Sequence, residues 1–242
     1  MSQLSLNIPG RLVYSSKGFF LHAGVKDLFT KVSASLTQSY FAICFVSGGP
    51  RSGKTHLSVA LGDALTGCGV SVLGVEGAQL SRWISERIAR TALRSNEAII
   101  VDDAQVYLDQ ISAGQSGEFV NLVEAARRAK AKICLFSSKE IGEFGFDDHV
   151  RSRLVPGSGF QIGIPDEREL GDLFSLLARQ RGMLFSTRKL EYWLKRIGRD
   201  IPSIDACLGS IDVLSQAGSE NASESSQISL LDVVSDEGRA GE

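Results

Sequence analysis

The residues GGPRSGKT at positions 48–55 carry the strongest chemical signal in the chain. Gly48 and Gly53 bracket four residues and are followed at once by Lys54 and Thr55, which fits G-x-x-x-x-G-K-[ST]. Glycine permits backbone angles that turn successive N–H groups inward, and a ring of such donors suits phosphate oxygens. The Lys54 ammonium would rest on the outer phosphates, and the Thr55 hydroxyl would be a ligand for Mg2+. Gly49, Pro50, Arg51, Ser52 and the following His56 complete the candidate cradle. The chemistry implied is the holding of a nucleotide with its metal. A second signal is AIIVDDAQ at 98–105, where an apolar run ends in two acids. Asp102 would hold Mg2+ through water, and Asp103 would orient an attacking water. A solvated strand end with two ordinary acids is the plainer reading of the same residues. A third signal is LFSS at 135–138, whose polar end either touches the terminal phosphate or merely turns the chain.

Such residues need elements to place them. YFAICFVS (40–47), VSVLGV (70–75), EAIIVD (97–102) and KICLFSS (132–138) are short, nearly continuous apolar runs, as buried parallel strands are. Between them, 54–65, 77–94 and 118–130 have apolar residues at helical spacing. Strand and helix in alternation predict an α/β sheet with right-handed crossovers. The phosphate loop then follows a strand and opens a helix, so the positive end of the helix dipole faces the anion. After Pro165 the texture becomes helical. The spacing predicts helices over 166–182, 184–197 and 201–214, the first with Leu170, Leu173, Phe174 and Leu177 on one face. Asp166 and Glu169 have the spacing of a capping box at its start. From Gln216 to about Gln227 the chain reads as a polar linker, and the apolar patch 228–234 follows.

Composition excludes several classes. The chain has 242 residues, 43% hydrophobic and 22% charged, enough for a sizeable core. No apolar run approaches the ~18 residues of a membrane span. The start, MSQLSLNIPGR, does not read as a secretory signal. Cys44, Cys68, Cys134 and Cys207 are scattered, three of them in apolar runs, so a reducing cytoplasm is expected rather than a disulfide framework or zinc site. Net charge is −2, but residues 216–242 hold six acids and one base, so the tail is −5 and the body +3. That bias is too weak to announce nucleic-acid binding.

Four motifs in order carry a resemblance. SGGPRSGKTHLSVAL, then IIVDDAQ, then VRSRL at 150–154, then PDERELGDLFSLLARQRGM at 165–183, resemble the ATPase core and lid of the DnaA family of AAA+ proteins, over about Gly18 to Leu214. The resemblance implies a RecA-like core with a parallel sheet and a small all-helical lid. The expected division is a peptide and linker at 1–17, an AAA+ core at 18–164, a lid at 165–215 and an acidic, flexible tail at 216–242. It also implies ADP or ATP with Mg2+. No room remains after the lid for the helix-turn-helix domain of an initiator, which draws the resemblance toward the short, Hda-like regulators of the family. Gln3, Leu4, Leu6 and Ile8 resemble the peptide by which such proteins dock on the DNA polymerase III sliding clamp, with Asn7 in place of the usual proline. QISLL at 227–231 is a second, weaker likeness to that peptide. Arg153 stands where the family has an arginine finger, which would act on ATP held by DnaA. DNA would be reached only through the clamp, and self-association is compatible with the family.

Two departures bear on activity. Pro202 occupies the place of a nucleotide-sensing arginine, with Arg199 three residues earlier, and Ser138 replaces an aspartate. Both remove contacts to the terminal phosphate, so intrinsic ATP hydrolysis is expected to be weak or absent. The functional expectation is a regulator that prevents re-initiation of replication. The alternatives are a non-catalytic adaptor and a helicase-loader-like ATPase.

Overall fold

The apolar runs become strands because both faces of one sheet are covered. The computed structural model describes residues 18–90, 92–111, 116–154, 159–198 and 200–221, without side chains at 88–90 and 215–221. These residues fall into two compact units, divided between Glu169 and Leu170.

The first unit is built on β1 (Ala42–Ser47), β2 (Ser71–Glu76), β3 (Glu97–Asp102), β4 (Lys132–Ser137) and β5 (Gly159–Gln161). The strands are all parallel, in the order β2-β3-β4-β1-β5. Successive side chains of a strand point to opposite faces. Phe45, Ile99, Val101, Ile133 and Leu135 enter one core, and Cys44, Val46, Ile100, Cys134 and Phe136 enter the other. The register sets Cys44 opposite Cys134, both as free thiols. Burial raises both thiols, Cys44 to about 11, which suits inert apolar packing.

Helices α1 (Ala23–Thr37) and α2 (Lys54–Gly67) supply Val25, Leu28, Val32, Leu57, Leu61 and Leu65 to the second core. Helices α3 (Leu80–Arg90), α4 (Gln105–Ile111), α5 (Gly117–Ala129) and α6 (Asp148–Leu154) serve the first. The sequence pattern missed α1, α4, α6 and β5. It also placed one helix over 77–94, where a 3-10 turn at Gly77–Gln79 precedes the shorter α3. β1 begins at Ala42 rather than Tyr40.

The segment after β5 belongs to this unit because it is bonded to the start of α1. Gly163 N–H donates to the Gly24 carbonyl at 3.0 Å. A Cβ on Gly24 would lie 2.5 Å from the Ile164 carbonyl oxygen, so only glycine allows this approach. The Glu169 carboxylate accepts from Ala23 N–H through both oxygens, at 2.9 and 3.0 Å, and from Asp166 N–H at 3.0 Å. His22 gives α1 no side-chain cap, so Glu169 supplies it from 146 residues away. It also opposes the burial that lowers the His22 imidazole. Half of the expected capping box is thus present, but it does not start the next helix, which begins at Leu170. Loss of a helix cap costs roughly 0.5–2 kcal/mol. Glu169→Ala is therefore expected to lower the unfolding free energy by about 1 kcal/mol in urea denaturation, while Glu169→Gln, whose side-chain oxygen can still accept from Ala23 N–H, loses less.

The second unit contains α7 (Leu170–Gln180), α8 (Thr187–Leu194) and α9 (Ile201–Asn221). Leu170, Leu173, Phe174 and Leu177 are buried, as their spacing predicts. Ser186 caps α8 by accepting from Lys189 N–H. The Asp200 carboxylate accepts from Ser203 N–H at 2.8 Å and from its hydroxyl at 2.9 Å. Arg181 pairs with Asp205 at 2.6 Å, tying the end of α7 to α9. The linker expected from Gln216 is corrected, because α9 continues to Asn221.

Candidate nucleotide site

Parallel strands point their carboxyl ends to one edge of the sheet, where crevices of α/β proteins form. At that edge the residues 48–53 leave β1 and enter α2. Gly48 N–H donates to the Ser137 carbonyl at 3.1 Å, which seats the loop against the end of β4. Gly53 sits at φ 90°, in the left-handed region, immediately before α2. Arg51 is also left-handed, at φ 56°. Ser52 and Gly53 are half-buried, while Gly49, Pro50 and Arg51 are exposed, so the loop opens to solvent at its crest. His56, one residue past Thr55, packs its ring 6.1 Å from Phe19.

Lys54 is the first residue of α2 and is buried. Its Nζ donates to the Gly48 and Gly49 carbonyls at 2.9 and 2.8 Å. An ammonium has three N–H groups, so one is left for an oxygen above the loop. Burial lowers the Lys54 pKa, opposed by the charges of Asp103 and Asp102. Thr55 and Asp102 also meet, since the Thr55 hydroxyl is hydrogen-bonded to the Asp102 carboxylate. Burial raises Asp102, while Thr55, the Asp103 N–H and Lys54 pull it down. A half-buried carboxylate beside a hydroxyl, an ammonium and a row of loop N–H groups is a donor set that fits Mg2+ with phosphate. Thr55 and Asp102 are the residues that would hold the metal. A cleft of about 560 Å³ adjoins them on the β2 side, lined also by Ser58, Asp63, Glu76 and Gln79.

Asp103 is set by its backbone. It lies at φ 48°, and its amide donates to Asp102 Oδ1 at 3.1 Å. Ala104 N–H then donates to the Phe136 carbonyl at 2.8 Å, which docks the turn on β4. Two residues given no role in the sequence reading complete this corner. Gln105 donates from Nε2 to Asp103 Oδ1 at 3.1 Å and accepts from Ser138 N–H at 3.0 Å, bridging the ends of β3 and β4. Gly77 lies beneath the turn, and a Cβ there would stand 2.1 Å from the Asp103 carbonyl oxygen. The only sequence signal for Gly77 is a glycine directly after a strand. Gly77→Ala is expected to displace the Asp102–Asp103 turn and cost about 2 kcal/mol or more. Nucleotide affinity should fall with it. Gly74→Ala is the control, since its Cβ meets nothing within 4 Å, and equal melting of the two variants would refute the packing argument.

Arg153 is not gathered into this loop. It sits in the last turn of α6, where Nε and Nη2 reach Glu124 Oε1 on α5 at 3.0 and 2.9 Å, and Nη1 donates to the His149 carbonyl at 2.8 Å. Pro202 lies in the first turn of α9, while Arg199 lies outside the described residues. Gln3, Leu4, Leu6 and Ile8 lie outside them as well, as does 227–231.

No family model matches the chain. The chromosomal replication initiator protein DnaA of Nautilia profundicola is similar at 23% identity over 180 residues, 71% of this chain. The chain spans 41% of the length of that relative. Among solved structures, domain III of the Thermotoga maritima replication initiation protein DnaA superposes with a TM-score of 0.67 at 16% identity, covering 90% of this chain and 94% of that one. The fold is that of a DnaA-type AAA+ domain. AMPPCP-bound DnaA from Aquifex aeolicus superposes at 0.65 with 18% identity, over 88% of this chain and 68% of that one. The RuvB Holliday junction branch migration motor of T. maritima follows at 0.53 with 14% identity, over 80% and 63%. The likeness to DnaA domain III runs through both units, so the helical unit is part of the AAA+ fold. Among the described residues, no helix is long and apolar enough to cross a membrane.

Proposed function

We propose that this AAA+ protein is a cytoplasmic regulator of replication initiation. It binds ADP or ATP with Mg2+ at 48–56, Asp102 and Asp103. It docks on the DNA-loaded sliding clamp through Gln3, Leu4, Leu6 and Ile8. It then promotes hydrolysis of DnaA-bound ATP through Arg153, which prevents a second round. The observation that carries the nucleotide half is the convergence of Lys54, Thr55 and Asp102 at one sheet edge. The similarity to DnaA of N. profundicola and the AMPPCP-bound DnaA of A. aeolicus support adenine nucleotide and a replication context.

Within the site, Lys54 keeps one N–H for a phosphate oxygen while its other two hold the loop closed. Magnesium, when bound, would supply charge neutralisation at the phosphates. Gln105 holds the Asp103 carboxylate and the Ser138 amide in one hydrogen-bonded corner. A water-orienting acid tied in this way, with Ser138 where a carboxylate is expected, suits a site that retains nucleotide rather than turning it over rapidly.

One observation favours the adaptor reading. Arg153 is engaged within its own chain by Glu124 and His149. The deciding experiment follows labelled ATP on DnaA, with this protein, clamp and DNA present together or singly, and with residues 3–8 deleted. Acceleration only when all are present, lost on deletion, supports the regulator. Clamp binding with no acceleration supports the adaptor. Rapid turnover of free ATP, dependent on Lys54 and Asp102, supports the helicase-loader-like ATPase.

A further inference from the structure

We infer that Glu124 is a latch on Arg153, and that its release sets how strongly the arginine acts outside this chain. The inference rests on the proposed role of Arg153. A guanidinium has five N–H groups and no acceptor. Here Nε and Nη2 converge on Glu124 Oε1, at 3.0 and 2.9 Å, and Nη1 is spent on the His149 carbonyl at 2.8 Å. Three of the five donors are therefore used, and the Nε–Nη2 edge is one of the two edges that grip a phosphate in parallel.

The charge balance is as telling as the geometry. Glu124 cancels the charge of Arg153 and repels any phosphate brought toward it. An arginine in this state offers a phosphoryl group little of the stabilisation that a free guanidinium gives. The pair is placed so that it can open. The Arg153 side chain is 21% exposed and that of Glu124 35%, so water and salt weaken their attraction. A deeply buried pair would be too costly to break, and a fully exposed one would hold nothing. Arg151, two residues earlier on α6, is exposed, so it does not share this arrangement.

The two helices give the latch its mechanism. α5 is anchored by Phe119, Leu122, Val123 and Ala126, all buried in the sheet core, so Glu124 projects from a fixed element. α6 is seven residues long and buries Val150 and Leu154. A partner can draw the Arg153 side chain away from Glu124 by rotation about its own bonds, leaving Val150 and Leu154 seated in the core. Phosphate carries more negative charge than a carboxylate, so it takes the guanidinium once it is within reach.

The test uses the full chain with Glu124→Gln, which keeps the shape and removes the charge. Glu124→Asp and Arg153→Ala accompany it. Stimulated hydrolysis of ATP on DnaA, in the presence of clamp and DNA, is expected to rise about threefold to fivefold in Glu124→Gln, the upper part of the range of a partly exposed ion pair. Glu124→Asp should stay within twofold of the parent. Melting temperature should fall slightly in Glu124→Gln while the rate rises, and a merely structural role would lower both. In 15N NMR the Arg153 Nε–H signal is expected to be shifted and slow to exchange with water in the parent, and fast in Glu124→Gln. Identical signals would remove the pair and the latch together. A shifted signal with a slower Glu124→Gln rate, where Arg153→Ala abolishes stimulation, would make Glu124 a support and overturn the latch. If neither the parent nor Glu124→Gln stimulates hydrolysis and clamp binding persists, the regulator reading fails and the latch with it.

Discussion

Lys54→Met is expected to weaken ADP and ATP binding by about 100-fold. The substitution keeps the apolar stem that α2 buries and removes the ammonium. A hydrogen bond to a charged group contributes ~1.5–3 kcal/mol, and the upper end corresponds to roughly two orders of magnitude in affinity. The upper end applies for two reasons. The site is buried, so the Lys54 charge is poorly screened there. The same Nζ also draws the Gly48 and Gly49 carbonyls together, so its loss relaxes the loop and unsettles the N–H groups meant for phosphate. Isothermal titration with Mg2+ present measures the first effect. Thr55→Ala separates the contributions, since it should lose affinity only when Mg2+ is present. A Lys54→Met protein that binds ADP within threefold of the parent would show that 48–55 is a structural turn and not a phosphate site. Folding should survive, because the loop also holds to β4 through Gly48 and Ser137.

The loop was legible in sequence because its chemistry is local. Gly48, Gly53, Lys54 and Thr55 are fixed by spacing along one strand-to-helix turn, and no distant residue is needed to define them. The strands were legible for a related reason. Burial on both faces leaves an unbroken apolar run, as at 97–102 and 132–137, where nearly every residue is buried. What escaped was set by partners far along the chain. Gln105 was visible as a letter in AIIVDDAQ, but its role depends on Ser138, 33 residues away. Glu169 read as the cap of its own helix and instead caps α1. Gly77 read as the start of a helix, and its reason to be glycine is the backbone of Asp103. The miss at α1 was different, since Val25, Leu28, Val32 and Leu36 keep helical spacing and all are buried. Lys, Ser and Thr interleaved among them blurred that stripe. β5 is three residues long and carries no periodicity to read.

Arg153→Ala is expected to reduce stimulated hydrolysis of DnaA-bound ATP by about 10³-fold, the scale on which an arginine supplied in trans acts on a transferring phosphoryl group. The structural cost should be small by comparison. The substitution breaks one partly exposed pair, with side-chain exposures of 21% and 35%, and such pairs contribute ~0–1 kcal/mol. It also removes the guanidinium from the His149 carbonyl in the first turn of α6, which water can satisfy at an exposed residue. Melting and rate therefore separate the two roles. A rate collapse with a melting point nearly unchanged places Arg153 at the reacting phosphate. A parallel fall in both would make it a strut between α5 and α6. Arg153→Lys sharpens the distinction, because lysine keeps the charge but cannot make the parallel two-bond grip. It should keep most of the stability and recover little of the rate. Deleting residues 3–8 should instead lower the rate through lost docking, and raising the clamp concentration should not restore it. A protein in which Arg153→Ala retains full stimulation while that deletion abolishes it would be an adaptor, with Arg153 and Glu124 simply joining two helices.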